Sequence, residues 1–166
     1  RGSGTKNADG ASSAAGQSAW DFALTGNVMD GLAMGIGYGE AEQGSSISDA
    51  EHSTIFANYS MGSFTLGYQV SETDKGATKT NQDVKAWGLA FNVNENLSLS
   101  YGQRDVEWDA IGAGTDITEK GKGMAVAYTM GSIKIAGNRN EVTNNDADNT
   151  GVGSDEMTEI AVSFAF

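Results

Sequence analysis

Between Trp20 and Phe166 the chain repeats one pattern, a large apolar residue at every second position with small or polar residues between. Side chains of an extended strand alternate between its two faces, so each run acquires one apolar face and one small, weakly polar face. The last eight residues show this most fully. Ile160, Val162, Phe164 and Phe166 point one way, and Glu159, Ala161, Ser163 and Ala165 the other. Trp20, Phe22 and Leu24 alternate likewise with Asp21, Ala23 and Thr25, and Leu32, Met34, Ile36 and Tyr38 with Ala33, Gly35, Gly37 and Gly39. Ile55, Ala57, Tyr59 and Met61 alternate with Thr54, Phe56, Asn58 and Ser60, where Phe56 breaks the rule. Runs at 64–70, 87–93, 97–101, 124–128 and 133–135 continue the series.

Short turns near Val28, Gly62, Glu95 and Gly131 recur about every 34 residues, and long polar segments (40–51, 71–83, 105–121 and 141–156) separate the hairpins. The turn Tyr59-Ser60-Met61-Gly62-Ser63-Phe64 is echoed by Tyr128-Thr129-Met130-Gly131-Ser132-Ile133. Such a series predicts an up-and-down antiparallel meander with short turns at one end and long loops at the other. The chain has no proline, a residue that blocks ladder hydrogen bonds, which fits extensive pairing. Beyond Arg104 the alternation is lost, and residues 105–121 read as a polar loop in which Trp108 and Ile111 extend or bulge the strand. Residues 1–17, rich in Gly, Ser and Ala, read as a loop or linker, and 18–166 as one domain.

A soluble sandwich would carry charge on the solvent face of its strands. Here charge crowds into the loops, and the non-apolar face is mostly Gly, Ala, Ser and Thr. Aromatics on the apolar face sort to the strand ends: Trp20, Tyr38, Tyr68 and Trp87 near the long loops, Tyr59, Phe64, Phe91, Tyr128 and Phe166 near the short turns. Two aromatic belts around an apolar band are what a strand-built membrane wall presents to lipid. Lys85 and Arg139 share the parity of the apolar face, and a rim position would let them snorkel. The chain contains no apolar run long enough for a membrane-spanning helix, so strands would have to make any crossing. A net charge of −12 argues against nucleic acid, and the lack of Cys excludes disulfides and thiolate metal sites.

The Gly-rich hairpins, Met-Gly-Ser turns, acidic loops and terminal Ile160-Ala161-Val162-Ser163-Phe164-Ala165-Phe166 resemble a Gram-negative outer-membrane general porin of the alphaproteobacterial type, over roughly 20–166. That resemblance implies an all-β transmembrane barrel. About nine strands are visible of sixteen, so the chain is expected to be the C-terminal part of a longer protein that lacks its start at Arg1. It further implies an outer-membrane location, contact with lipid and lipopolysaccharide, a homotrimer, and recognition by the barrel assembly machinery through Phe164 and Phe166. The family's pore-constricting loop is expected upstream of this sequence.

The function expected is a water-filled channel for passive diffusion of small hydrophilic solutes and ions, with no required cofactor. Parity nominates Asp21, Asn58, Gln69, Arg104, Lys134, Asn138 and Glu159 as pore-lining, and their mixed signs predict weak charge selectivity. Gly35, Gly37, Gly39, Ala86, Gly88, Ala90, Ala125 and Ala127 are too small to fill a barrel of eight strands, which favours a wider or plugged one. The alternatives are a structural or adhesive barrel, or the translocator of a secreted passenger. An outer-membrane enzyme is a further class, with His52 as the single possible imidazole base, beside Glu51 and with no assignable nucleophile. Gly35-Ile36-Gly37-Tyr38-Gly39 lacks the glycine spacing of a nucleotide-binding turn. Asp146 and Asp148 in 146–151 resemble the start of a calcium loop, but Met157 stands where the bidentate Glu belongs. What remains is a looser Ca2+ or Mg2+ site in the acidic outer loops.

Overall fold

The computed structural model describes residues 18–43, 48–75, 81–109, 114–145 and 153–165. They form one antiparallel sheet of nine strands in sequence order: β1 (Ala19–Met29), β2 (Leu32–Ala41), β3 (Ala50–Met61), β4 (Phe64–Asp74), β5 (Gln82–Asn92), β6 (Leu97–Trp108), β7 (Ile117–Met130), β8 (Ile133–Thr143) and β9 (Asp155–Phe164). No α-helix occurs among the described residues. Among the described residues the sheet is open, with β1 paired only to β2 and β9 only to β8. The linker 1–17, Asp146, Asp148 and Phe166 lie outside the described residues.

Pairing keeps the apolar face continuous, because residues opposite one another in an antiparallel ladder project to the same side. Phe22 faces Tyr38, Leu24 faces Ile36 and then Ile55, and Phe64 faces Phe91. One ladder row runs Leu32, Tyr59, Leu66, Leu89, Tyr101, Met124, Arg139. It starts at the first residue of β2 and ends at the seventh of β8, so it climbs about one residue per strand. A rise of about 3.3 Å for each lateral step of about 4.8 Å is a tilt of about 35°, at the lower end of the range that closes barrels.

The turns follow from their glycines. Gly62-Ser63 and Gly131-Ser132 are two-residue connections whose first residue has φ of 57° and 60°. Gly in that place suits the right-handed twist of a hairpin. The first turn differs from its expected form. β1 runs on to Met29, the ladder slips at Val28, and Gly31 (φ 76°) accepts a 2.7 Å bond from the Ser60 amide at its carbonyl. A Cβ at Gly31 would lie 2.3 Å from the Ser60 carbonyl oxygen, so this position is closed to side chains.

The strands are also longer than their alternation suggests. β6 keeps unbroken register from Leu97 to Trp108, so parity is not lost beyond Arg104, and β7 begins at Ile117 rather than after Gly121. Outward Asp105 and inward Val106 are consecutive strand residues in this extension. Backbone pairing needs no apolar outer face, and the period is hidden because Asp105 and Glu107 take the outward positions while Val106 and Trp108 take the inward ones.

A soluble sandwich would bury its apolar face, and this sheet does not. Ala50 and Val106 are the only buried hydrophobic residues among those described, whereas Leu24 is 66% exposed and Ile160 75%.

Candidate functional site: the inner wall and its outer rim

The face opposite the apolar band is built in rows. Thr25, Gly35, Phe56, Gln69, Ala86, Arg104, Gly121 and Val142 lie on one row, and Asn27, Ala33, Asn58, Gly67, Gly88, Gly102, Gly123 and Asn140 on the next toward the short turns. Asp21, Asn58, Gln69, Arg104, Lys134, Asn138 and Glu159 all share this face. They are spread over it rather than gathered, and Asp21 and Lys134 lie near opposite ends of their strands.

On β3 and β4 the side chains interlock. Gln69 Nε2 donates to Ser71 Oγ at 2.9 Å, and the Ser71 and Thr54 hydroxyls are 2.8 Å apart. Phe56, the residue out of pattern, lies over Gly35, where a Cβ would meet its ring at 2.3 Å. Glycine opposite is what admits the ring to this face. Further round, Asn138 donates to Glu159 at 3.3 Å, and Asn140 donates to Asn138 at 3.0 Å. Between them β5 to β7 present almost bare backbone at Gly88, Gly102, Gly121 and Gly123.

Arg104 pairs with Glu119, which is buried while the guanidinium is more than half exposed. Sequence reasoning missed Glu119, because it fell within the presumed loop. The ladder shows why the two meet: Arg104 sits opposite Gly121 and Glu119 opposite Val106, a diagonal contact across β6 and β7. Trp108, also missed as an inner residue, has its indole Nε1 buried and stands 5.2 Å under the Lys75 ammonium. Gln43 Nε2 donates to the Lys75 carbonyl and the Lys75 amide to Asn81 Oδ1, so the β2–β3 connection is tied to the β4–β5 connection above this end of the wall.

Among the described residues no nucleophile and acid are aligned with His52. Its Nδ1 is 3.2 Å from the Thr73 hydroxyl, Ser53 projects to the opposite face, and Asp21 is separated from it by the Gly39 strand. A carboxylate trio not grouped by any sequence spacing, Glu107, Asp109 and Asp116, brings ligand oxygens within 4.8 Å of one another at the outer end of β6 and β7. Oxygen donors of that kind suit a hard divalent cation.

On the apolar face the polar rim begins after about seven residues of strand, a band about 20 Å tall at this tilt. Trp20 and Tyr38 (5.4 Å between rings) and Trp87 and Tyr101 (5.5 Å) mark its upper margin, and Phe64 stacked on Phe91 (4.4 Å) its lower one. Lys85 and Arg139 stand at the upper margin, where Arg139 pairs with Glu156 at 2.8 Å. Above the band Glu40 gathers with other acids. Its carboxyl is held above its ordinary value, first by partial desolvation, then by Asp49, Glu51 and Glu42.

Among solved structures the fold is similar to OmpT (in-vitro folded), an outer membrane protein of Vibrio cholerae, with a TM-score of 0.64 at 15% identity. The likeness covers 90% of this chain and 56% of that one, so the chain spans little more than half of that protein. No protein-family model and no curated protein matches the sequence. At that identity the likeness carries the fold alone, which is that of an outer-membrane β-barrel wall.

Proposed function

We propose that the chain forms part of a water-filled channel in the outer membrane of a Gram-negative bacterium, through which small hydrophilic solutes and ions diffuse passively. One observation carries this reading: the face opposite the exposed apolar band is lined across β5 to β7 by Gly88, Gly102, Gly121 and Gly123, which cannot fill a lumen. A wall so bare on the inside and so apolar on the outside separates water from lipid. Among the described residues the outer edges of β1 and β9 have no strand partner, and hydrocarbon does not tolerate open edges, so in the general-porin reading further strands close the barrel at about sixteen.

In such a channel the protein works by shape and field. Asp21 and Glu159 against Arg104 and Lys134 give a lining of mixed sign and weak ion preference. In the same reading Phe164 and Phe166 present the signal to the barrel assembly machinery, and the channel is a homotrimer of the alphaproteobacterial general-porin type. The chain performs no bond-making chemistry and needs no cofactor. Ca2+ or Mg2+ would bind the acidic rim as exchangeable surface ions. Planar-bilayer recording tests the reading: stepwise conductance that rises with salt is expected, and a protein that inserts but passes no ions sinks it.

A further inference from the structure

At the short-turn end of the inner face one cation and one acid share a hollow without touching. Lys134 on β8 lies opposite Thr129 on β7 and Ser163 on β9. Glu95 lies in the turn between β5 and β6, which is tied to β7 because the Thr129 amide donates to the Asn96 carbonyl at 2.8 Å. Both charges line one hollow of about 530 Å³, a size usual for small-ligand sites. Both are exposed, and neither forms a salt bridge among the described residues. Asn92 and Ser98, paired across β5 and β6, line the hollow too, as does Asn94. Asn94 Oδ1 accepts from the Asn96 and Leu97 amides, each at 2.9 Å, which fixes the turn and leaves the Asn94 Nδ2 protons available as donors. Glu159, the inner-face acid of β9 next toward the middle, lies about 13 Å along that strand from Ser163 and accepts from Asn138.

We infer that this hollow binds a short peptide with both termini charged. The peptide carboxylate goes to Lys134 and Thr129, its ammonium to Glu95, and its backbone amide to the side-chain amides of Asn92 and Asn94, which offer donors and acceptors of the same kind. Charge complementarity selects the occupant. A simple anion on Lys134 would face the Glu95 carboxylate, a simple cation on Glu95 would face the Lys134 ammonium, and a neutral sugar would use neither charge. A zwitterion satisfies both at once. The inference rests on the inner face being wetted, as the channel reading has it, and not on the passage of ions.

The test uses the full chain folded in detergent micelles, with its sheet checked by circular dichroism, and titrated with alanylalanine by ligand-observed saturation-transfer NMR. The N-acetylated dipeptide lacks the ammonium, and the C-terminal amide lacks the carboxylate. Wild type is expected to bind the free dipeptide about three- to five-fold more tightly than either capped form, the scale of one exposed charge pair. E95Q should weaken the free dipeptide by that factor without changing the N-acetylated form, and K134Q likewise without changing the amide. K85Q and E72Q, on the outer face, should change none of the three. Equal binding of all three peptides, wild-type affinity in K134Q/E95Q, or no binding by the folded wild type overturns the site. A chain that conducts without binding the dipeptide loses the site and keeps the pore, and one that binds it without conducting loses the pore and keeps the site.

Discussion

The two halves of the sheet wear the same outside and different insides. On β3 and β4 the inner face carries a lattice of hydroxyls and amides with Phe56 lodged over Gly35, while the middle of β5 to β7 is mostly glycine, alanine and serine broken by the Arg104 and Glu119 pair, with Val106 and Trp108 toward its outer end. The outer band, by contrast, runs through both halves without a change of chemistry, from Phe22 and Ile36 to Leu89 and Val126. One solvent fixes the outer face, so every strand answers to it. The inner face meets water, which tolerates a crowded wall as readily as a bare one, and there the two halves are free to differ.

The largest expected effect tests the shared outside. Leu89→Arg and Ile36→Arg place a cation in the middle of the band in different halves, and each should cost about 2–4 kcal/mol of folding free energy in bilayers. Ala90→Arg, one residue on but facing inward, should fold as wild type. Denaturant titration in vesicles reads all three, and equal tolerance of Leu89→Arg and Ala90→Arg would break the distinction between the faces.

Next comes the ion pair of the bare half. Arg104→Ala removes a charge-assisted partner from buried Glu119 and should cost about 1.5–3 kcal/mol by the same titration. Arg104→Lys should recover part of that loss.

One substitution should then have opposite signs in the two halves. Gly35→Val drives a side chain into the Phe56 ring and should destabilise by about 1–3 kcal/mol. Gly88→Val meets only the Tyr101 carbonyl, at 3.6 Å, and should be neutral or stabilising by up to about 1 kcal/mol, because β-branched residues favour strands. In a channel it should also lower conductance.

The smallest effect concerns pH at the acidic rim beyond the band. A carboxyl whose folded pKa is raised binds more protons folded than unfolded, so its contribution worsens as pH rises from the ordinary carboxylate value through the raised one. Melting curves between pH 4 and 7 should therefore show a mild loss with rising pH that Glu40→Gln flattens.

The sequence showed the meander plainly, because lipid-facing strands must alternate and the hairpin turns carry glycine where φ is positive. It hid the outer ends of the strands, where on β6 the outward positions turn polar (Asp105, Glu107) and the apolar residues (Val106, Trp108) take the inward ones, so the parity is reversed. It also hid every contact that depends on which residues stand opposite. Glu119 reaches Arg104 only once β6 and β7 are in register, and Phe56 was visible as an irregularity without the glycine that explains it. The bulge at Val28 left no trace beyond a slightly long turn.

The even climb of the ladder, about one residue per strand, has a consequence for how such a wall changes size. Because each hairpin meets the next at an offset of about one or two residues, a duplicated hairpin would dock on its neighbours with little disturbance to the others. Two more strands at this tilt add about 12 Å of circumference, or about 4 Å of diameter. Bore is then a matter of how many identical staves are strung together, and gene duplication in units of one hairpin would widen it in discrete steps.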